Sequence, residues 1–214
     1  ERLTRFGGHF FNCYDLHDLR VLEPRYVSTV DSGNLAGHLI ALRQALLSAA
    51  SEPVDEDLQT QLRVLAERAG DFAREMDFSF LYDQRRELFA IGYQQSSHAL
   101  DPSFYDLLAS EARLASFIAI ARDQVPVEHW FHLGRTLTRA SGSTALVSWS
   151  GSMFEYLMPC RRMRSFPFTL LDQTYRSAVR RQVAHGASHG VPWGTSESAY
   201  NLRDRHLTYQ YRAF

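Results

Sequence analysis

The sequence predicts an all-α fold with short β-hairpins in its loops, and three observations carry that prediction. Four long segments repeat apolar residues at helical spacing, and the candidate strands between them are short. Gly, Ser and aromatic residues gather in the stretches joining the helices, where a helical barrel would build its mouth. With 214 residues, 45% of them hydrophobic, the chain can bury a sizeable core.

The first predicted helix puts Leu35, Leu39, Leu42 and Leu46 on one face, with Asn34 as N-cap and an end near Ala50. A second, over residues 54–76, places Leu58, Leu62, Leu65, Ala69, Phe72 and Met76 on a stripe, with Arg63, Glu67 and Arg74 outside it. The third is predicted over 101–121. Asp101 reads as its cap, Pro102 as its first residue, and the stretch from Leu107 to Ala121 is apolar almost all round. The fourth opens at Thr169, whose spacing to Asp172 approximates a capping box, and runs to about His185 before Gly186. Strands are predicted at 80–82, 88–93, 145–149 and 207–211. No repeat, low-complexity tract or long linker divides the sequence, which reads as one domain over residues 1–214.

A net charge of -1 argues against broad attraction to nucleic acid or anionic lipid. No apolar run approaches the roughly 20 residues of a membrane span, and residues 1–6 lack the pattern of a signal peptide, so the piece reads as soluble. Cys13 and Cys160 read as two unlinked thiols. His185 and His189 are four apart, but Gly186 stands where a zincin carries Glu, so neither a metal nor another cofactor is expected.

Four stretches mix polar residues with aromatics and small residues: GGHFFNCYD, STVDSGN, SWSGSMFEYLMP and PWGTSESAYN. Sugar-binding clefts need this mixture, because aromatic faces lie against pyranose rings while carboxylates and amides bind hydroxyls. Any aromatic-rich interface could also show it. Glu111, in the most apolar predicted helix, would be costly without a partner and would tend to hold its proton. The plainer alternative is an ion pair with an arginine of another helix; Arg113, two residues along, would point to a different face. Glycosidic cleavage uses one protonated and one ionised carboxyl group, and Glu111 suits the first role while Glu197, flanked by serines, suits the second. Glu155 is a third candidate or the start of a short helix, and Asp31 is a candidate or a turn and cap residue.

The blocks RFGGHFFNCYD, EPRYVSTVDSGNLAGHLIALRQ, MDFSFLYD, LDPSFYDLLASEARLASFIAIA, PVEHWFHLGR, LVSWSGSMFEYLMP, LLDQTYRSAVRRQ and VPWGTSESAYN resemble, in order, the glycoamylase-like middle region of bacterial cyclic β-1,2-glucan synthases. The resemblance implies an (α/α)6 barrel, or toroid, shared with endo-β-1,2-glucanases, and a retaining transglycosylase that closes linear β-1,2-glucan into rings. It assigns the acid/base to Glu111 of SEARL and the nucleophile to Glu197 of SES. Asn12, Tyr14, Asp15, Asp31, Asn34, Trp149, Glu155, Trp193 and Tyr200 are the expected glucan contacts. The alternatives are an inverting, endo-β-1,2-glucanase-like hydrolase and a glucan-holding module without catalysis. The implied partners are the glucan and the glycosyltransferase and phosphorylase-like regions of a membrane-bound parent, at the cytoplasmic face of the inner membrane. Cys13 stands where the family pattern has an aromatic, and Arg161 and Arg162 make the segment after Met158-Pro159 more basic than the family pattern. The family's domain extends beyond both ends of this sequence, so the chain is expected to be a piece of the barrel whose exposed apolar faces favour self-association.

Overall fold

A computed structural model describes residues 2–196, 203 and 205 of the chain. They divide into two compact units, one of residues up to Asp106 together with Leu114–His132, the other of Leu107–Arg113 together with residues from Leu133 onward.

In the first unit, β1 (Arg5–Phe6) and β2 (His9–Phe10) form a hairpin, and β3 (Tyr26–Ser28) leads into α1 (Thr29–Ala49), followed by α2 (Glu56–Glu75). Strands β4 (Tyr82–Asp83), β5 (Leu88–Ala90), β6 (Gly92–Gln94), β7 (Ala99–Leu100) and β8 (Phe104–Tyr105) complete two antiparallel sheets, ordered β3-β6-β7 and β4-β5-β8. Helix α3 (Arg113–Ala121) and the short α4 (Glu128–His132) follow. The long elements are helices, as expected, but the connections carry two three-stranded sheets where only short hairpins were expected, so the chain is not all-α.

Three of the predicted helix boundaries need correction. Helix α1 is capped by Ser28, whose Oγ accepts from the Asp31 N–H at 3.2 Å, so it starts before Asn34, which lies inside it. A serine with the right backbone angles takes the cap before the asparagine is reached. Its most buried face is Thr29, Ser32, Gly33, Ala36 and Gly37 rather than the leucine stripe, of which Leu42 is exposed. A β-carbon on Gly33 would lie 2.5 Å from Ala115 Cβ, and one on Gly37 2.8 Å from Leu114 Cδ2, so the two glycines let α1 and α3 approach closely. The same preference for small residues recurs in α2, which buries Ala66, Ala69, Gly70 and Ala73 while Leu58 and Leu65 of the predicted stripe are exposed.

The third predicted helix is shorter than expected. Asp101 Oδ1 accepts from the Ser103 N–H at 2.9 Å and forms a turn between β7 and β8, so Asp-Pro-Ser joins two strands instead of capping a helix. Pairing of Phe104 with Ala90 and Tyr105 with Phe89 then holds this stretch extended, and Glu111 falls on the turn just before α3.

The core of this unit surrounds two buried histidines. His9 lies edge-on to Phe78 and Phe80, with ring centroids 4.9 and 5.4 Å away, and its Nε2 donates to the Asp77 carbonyl at 2.8 Å. Burial pushes its pKa down to about 4 despite that bond, so the ring is neutral near pH 7. His129 is held between the Glu87 carbonyl and Ser116 Oγ, both at 2.8 Å, and burial lowers its pKa too. Gly8 brings the hairpin against the end of α2: its φ is +81°, and a β-carbon there would meet Glu75 O at 1.9 Å.

In the second unit, β9 (Leu137–Ala140) and β10 (Ser143–Leu146) make a hairpin, followed by α5 (Met153–Leu157) and α6 (Leu170–His189). Thr169 caps α6 as expected, but the helix passes through Gly186 and ends at Gly190. It docks on the hairpin where Thr174 Oγ1 accepts from the Leu146 N–H at 3.1 Å. Tyr156 of α5 donates to the Leu146 carbonyl at 2.8 Å. The strand predicted at 207–211 lies outside the described residues. No helix among those described is long and apolar enough to cross a membrane.

Candidate active site

The second unit carries Glu111, Trp149, Glu155 and Trp193, while Glu197 and Tyr200 lie outside the described residues. Its organising element is α5, five residues long.

Ser152 caps α5 and forms a capping box with Glu155. The Glu155 carboxylate is 8% exposed and folds the loop SWSGS around itself. Oε1 accepts from the Trp149 N–H at 3.0 Å; Oε2 accepts from the N–H groups of Ser150 and Ser152 at 2.9 and 3.2 Å and from Ser148 Oγ at 3.2 Å. The hydroxyls of Ser150 and Ser152 add further bonds to Oε2. A carboxylate so fully engaged is suited to holding backbone. Trp149, whose N–H it fixes, is 52% exposed and lines a cleft of about 380 Å³ with Tyr156, Arg139 and Arg181.

Two further ties converge on α5. Gln182, buried in α6, donates through Nε2 to the carbonyls of Gly151 and Thr195 at 3.1 and 3.0 Å, and the Met153 N–H also donates to Thr195 at 2.9 Å. The segment carrying Trp193 is thereby fastened to the start of α5. On the other side, Arg113 is 1% exposed, and its guanidinium donates to Leu108 O and Ser110 O at 3.3 and 3.0 Å and to Glu155 O and Tyr156 O at 3.4 and 2.7 Å. It also donates to the Tyr175 hydroxyl at 3.1 Å. Burial pushes the Tyr175 phenol up to about 12, against the neighbouring guanidinium, so it stays neutral. The half-buried Glu111 sits on the turn this arginine clamps. Arg113 thus serves the backbone around Glu111.

The first unit brings Asn12 and Asp31 to one cleft of about 370 Å³, with Phe10, Phe11 and Ser32 on its walls. The other predicted contacts in this unit have local tasks. The Tyr14 hydroxyl accepts from the Phe11 N–H at 2.9 Å and donates to the Thr4 carbonyl at 2.7 Å. Asp15 closes a turn: the N–H groups of His17 and Asp18 bond to its carboxylate and hold its pKa below the usual value. Asn34 lies in α1 with its buried Oδ1 unpaired among the described residues. Cys13 and Cys160 are both free thiols. The rings of His185 and His189 are 4.2 Å apart, but no group of three metal-ligating residues occurs among the described residues.

Arg113, Gln182 and Ser152 were missing from the sequence-derived set. Only Ser152 carried a local signal, the S-x-x-E spacing to Glu155; the other two act across distances that a sequence does not display.

No protein-family model matches the chain. It is 47% identical over 205 residues to the cyclic β-(1,2)-glucan synthase NdvB of Rhizobium meliloti (strain 1021), a match covering 94% of this chain and 7% of the length of that protein. The resemblance carried by the eight blocks is thereby shown. Among solved structures, an endo-β-1,2-glucanase from Talaromyces funiculosus in complex with sophorose matches with a TM-score of 0.66 at 13% identity, over 86% of this chain and 41% of that one. At that identity the likeness is one of fold.

Proposed function

We propose that this chain, whose sequence matches a segment of a cyclic β-1,2-glucan synthase, is part of a carbohydrate-active domain that acts on linear β-1,2-glucan by retaining transglycosylation and closes it into rings. The observation that carries the reading is the 47% identity maintained across nearly the whole chain. The (α/α)6 barrel is the architecture we assign to the complete domain, supported by the fold shared with the glucanase.

Glu111 is the acid/base in this reading and Glu197 the nucleophile. Glu197 attacks the anomeric carbon while Glu111 protonates the departing glycosidic oxygen; Glu111 then takes the proton from a glucan hydroxyl that displaces Glu197. Retention of configuration calls for carboxyl groups about 5–5.5 Å apart. The clamp of Arg113 on the Ser110 carbonyl suits Glu111 to this role, because an acid must be held against its leaving group. Asn12, Asp31 and Trp149 contact the glucan. Glycosyltransferase and phosphorylase-like regions of the parent chain are the natural neighbours for such a step.

The test is incubation with linear β-1,2-glucan followed by mass spectrometry. Rings lighter than the matching linear chains by one water are the expected product, and Glu111→Gln should lower turnover by about 100- to 10,000-fold. Shorter linear chains alone would point to hydrolysis or transfer between chains, and an inverted anomer in a proton NMR spectrum at early turnover would mark the second reading, inverting hydrolysis, which the fold shared with an endo-β-1,2-glucanase favours. Oligosaccharide binding without any product would reduce the chain to a holding module.

A further inference from the structure

The cleft lined by Trp149 belongs entirely to the second unit, between the β9–β10 hairpin and α6. At about 380 Å³ it falls near the lower end of ligand pockets, which span about 300–1,000 Å³. Trp149 gives it a half-exposed indole, and Arg139 from β9 and Arg181 from α6 give it guanidinium donors. An aromatic face beside planar, donor-rich groups matches a pyranose, whose axial hydrogens present an apolar face and whose hydroxyls accept hydrogen bonds.

The indole is not left to find its own position. Trp149 leaves β10 after only two intervening residues, and on its other side the chain is fixed by Glu155 through the N–H groups of Ser150 and Ser152. The bond from the Trp149 N–H to Oε1 ties the residue itself. A glutamine at 155 could still accept from one side, but its amide nitrogen would face donors and leave buried N–H groups unpaired.

We propose that this cleft is a sugar subsite in which Trp149 stacks on a glucose ring, Arg139 and Arg181 donate to its hydroxyls, and Glu155 is the positioning residue that holds Trp149 in place. The proposal rests on the β-1,2-glucan reading above and extends it with two arginines and a role for Glu155.

Calorimetric titration with linear β-1,2-linked gluco-oligosaccharides, alongside thermal melts, tests it. Trp149→Ala should weaken binding about tenfold and Trp149→Phe much less. Glu155→Gln should weaken it similarly, and the double variant should be no weaker than Trp149→Ala alone, because the glutamate acts through the indole. Affinity of Trp149→Ala equal to wild type overturns the subsite, and additive losses in the double variant overturn the positioning role. Should Glu155→Gln fail to fold, the exposed arginines decide: Arg139→Ala and Arg181→Met should each cost about two- to tenfold in affinity, and two wild-type affinities overturn the subsite. Failure of the underlying reading looks different, since the wild-type chain would then neither bind nor convert the glucan.

Discussion

The two units carry their candidate glucan contacts in different ways. In the first, Asp31 stands on a helix of 21 residues that is positioned by packing: glycine against alanine, and a core of aromatics around neutral histidines. In the second, the elements that present Trp149 and Glu111 are short, and three polar side chains, Glu155, Gln182 and Arg113, tie them together through backbone groups. One arrangement is sensitive to volume and to burying charge. The other is sensitive to the loss of a single hydrogen-bonding group.

The largest expected effect breaks the second arrangement. Arg113→Met keeps the bulk and removes every donor, stranding the carbonyls of Leu108, Ser110 and Tyr156 in a buried site. A loss of about 3 kcal/mol or more is expected. Hydrogen exchange should show amides of 107–113 and 153–157 losing protection while those of α1 keep theirs; equal losses in both units would erase the contrast.

Acid comes next, and it selects the first unit. Burial depresses the folded-state pKa of His9 from the ordinary 6.5 to about 4. The folded state therefore binds fewer protons than the unfolded one in that window, so stability is fully present above about pH 6.5 and is lost as pH falls towards 4. His9 accounts for about 3 kcal/mol of this at most, and His129, lowered in the same direction, adds to it. Chemical denaturation at pH 7 and pH 4.5 should show a loss that shrinks in His9→Gln, and a loss unchanged by that substitution would remove the histidine from the account.

Gly33→Ala sharpens the volume side. Alanine gains about 1 kcal/mol in helix propensity, but its β-carbon would sit 2.5–2.8 Å from Ala115 Cβ, Cα and N, where backbone must move, at about 1–3 kcal/mol. The clash should win by about 1 kcal/mol in a urea titration. Smallest in stability is Asp31→Ala, an exposed first-turn carboxylate worth about 0.5 kcal/mol to its helix. Its expected effect is on the glucan, a two- to tenfold loss of affinity by calorimetry.

Much of this molecule is legible in its sequence, and the misses have physical causes. The helical periods were visible, and so was the start of α6, because Thr169 and Asp172 interact within one turn. Asp101-Pro102 misled because a helix cap and a turn between strands use the same side chain to catch a nearby N–H; pairing with β5 decides between them, and that pairing is not local. The leucine stripes misled because hydrophobicity was used as the guide to burial, whereas closest contact between helices favours residues with nothing to interpose. Glu155 was visible as a carboxylate and as a helix start, and both readings met in one residue whose helix-starting role gives it its use. Arg113 looked like a poor partner for Glu111 two residues away, and its guanidinium reaches instead to carbonyls more than 40 residues along the chain.

Gly186 stands in the last turns of α6, where a β-carbon would come within 2.8 Å of the Val191 carbonyl and 3.1 Å of Trp193, and its own carbonyl accepts from the Val191 N–H at 3.0 Å. The chain after the helix is laid directly on the helix it has just left. Adding or deleting a residue between 186 and 193 would move Trp193 and the Thr195 carbonyl away from the Gly186 and Gln182 positions that hold them, instead of simply lengthening a loop. Between Gly186 and Thr195, exchange of exposed side chains should therefore cost less than any change of length.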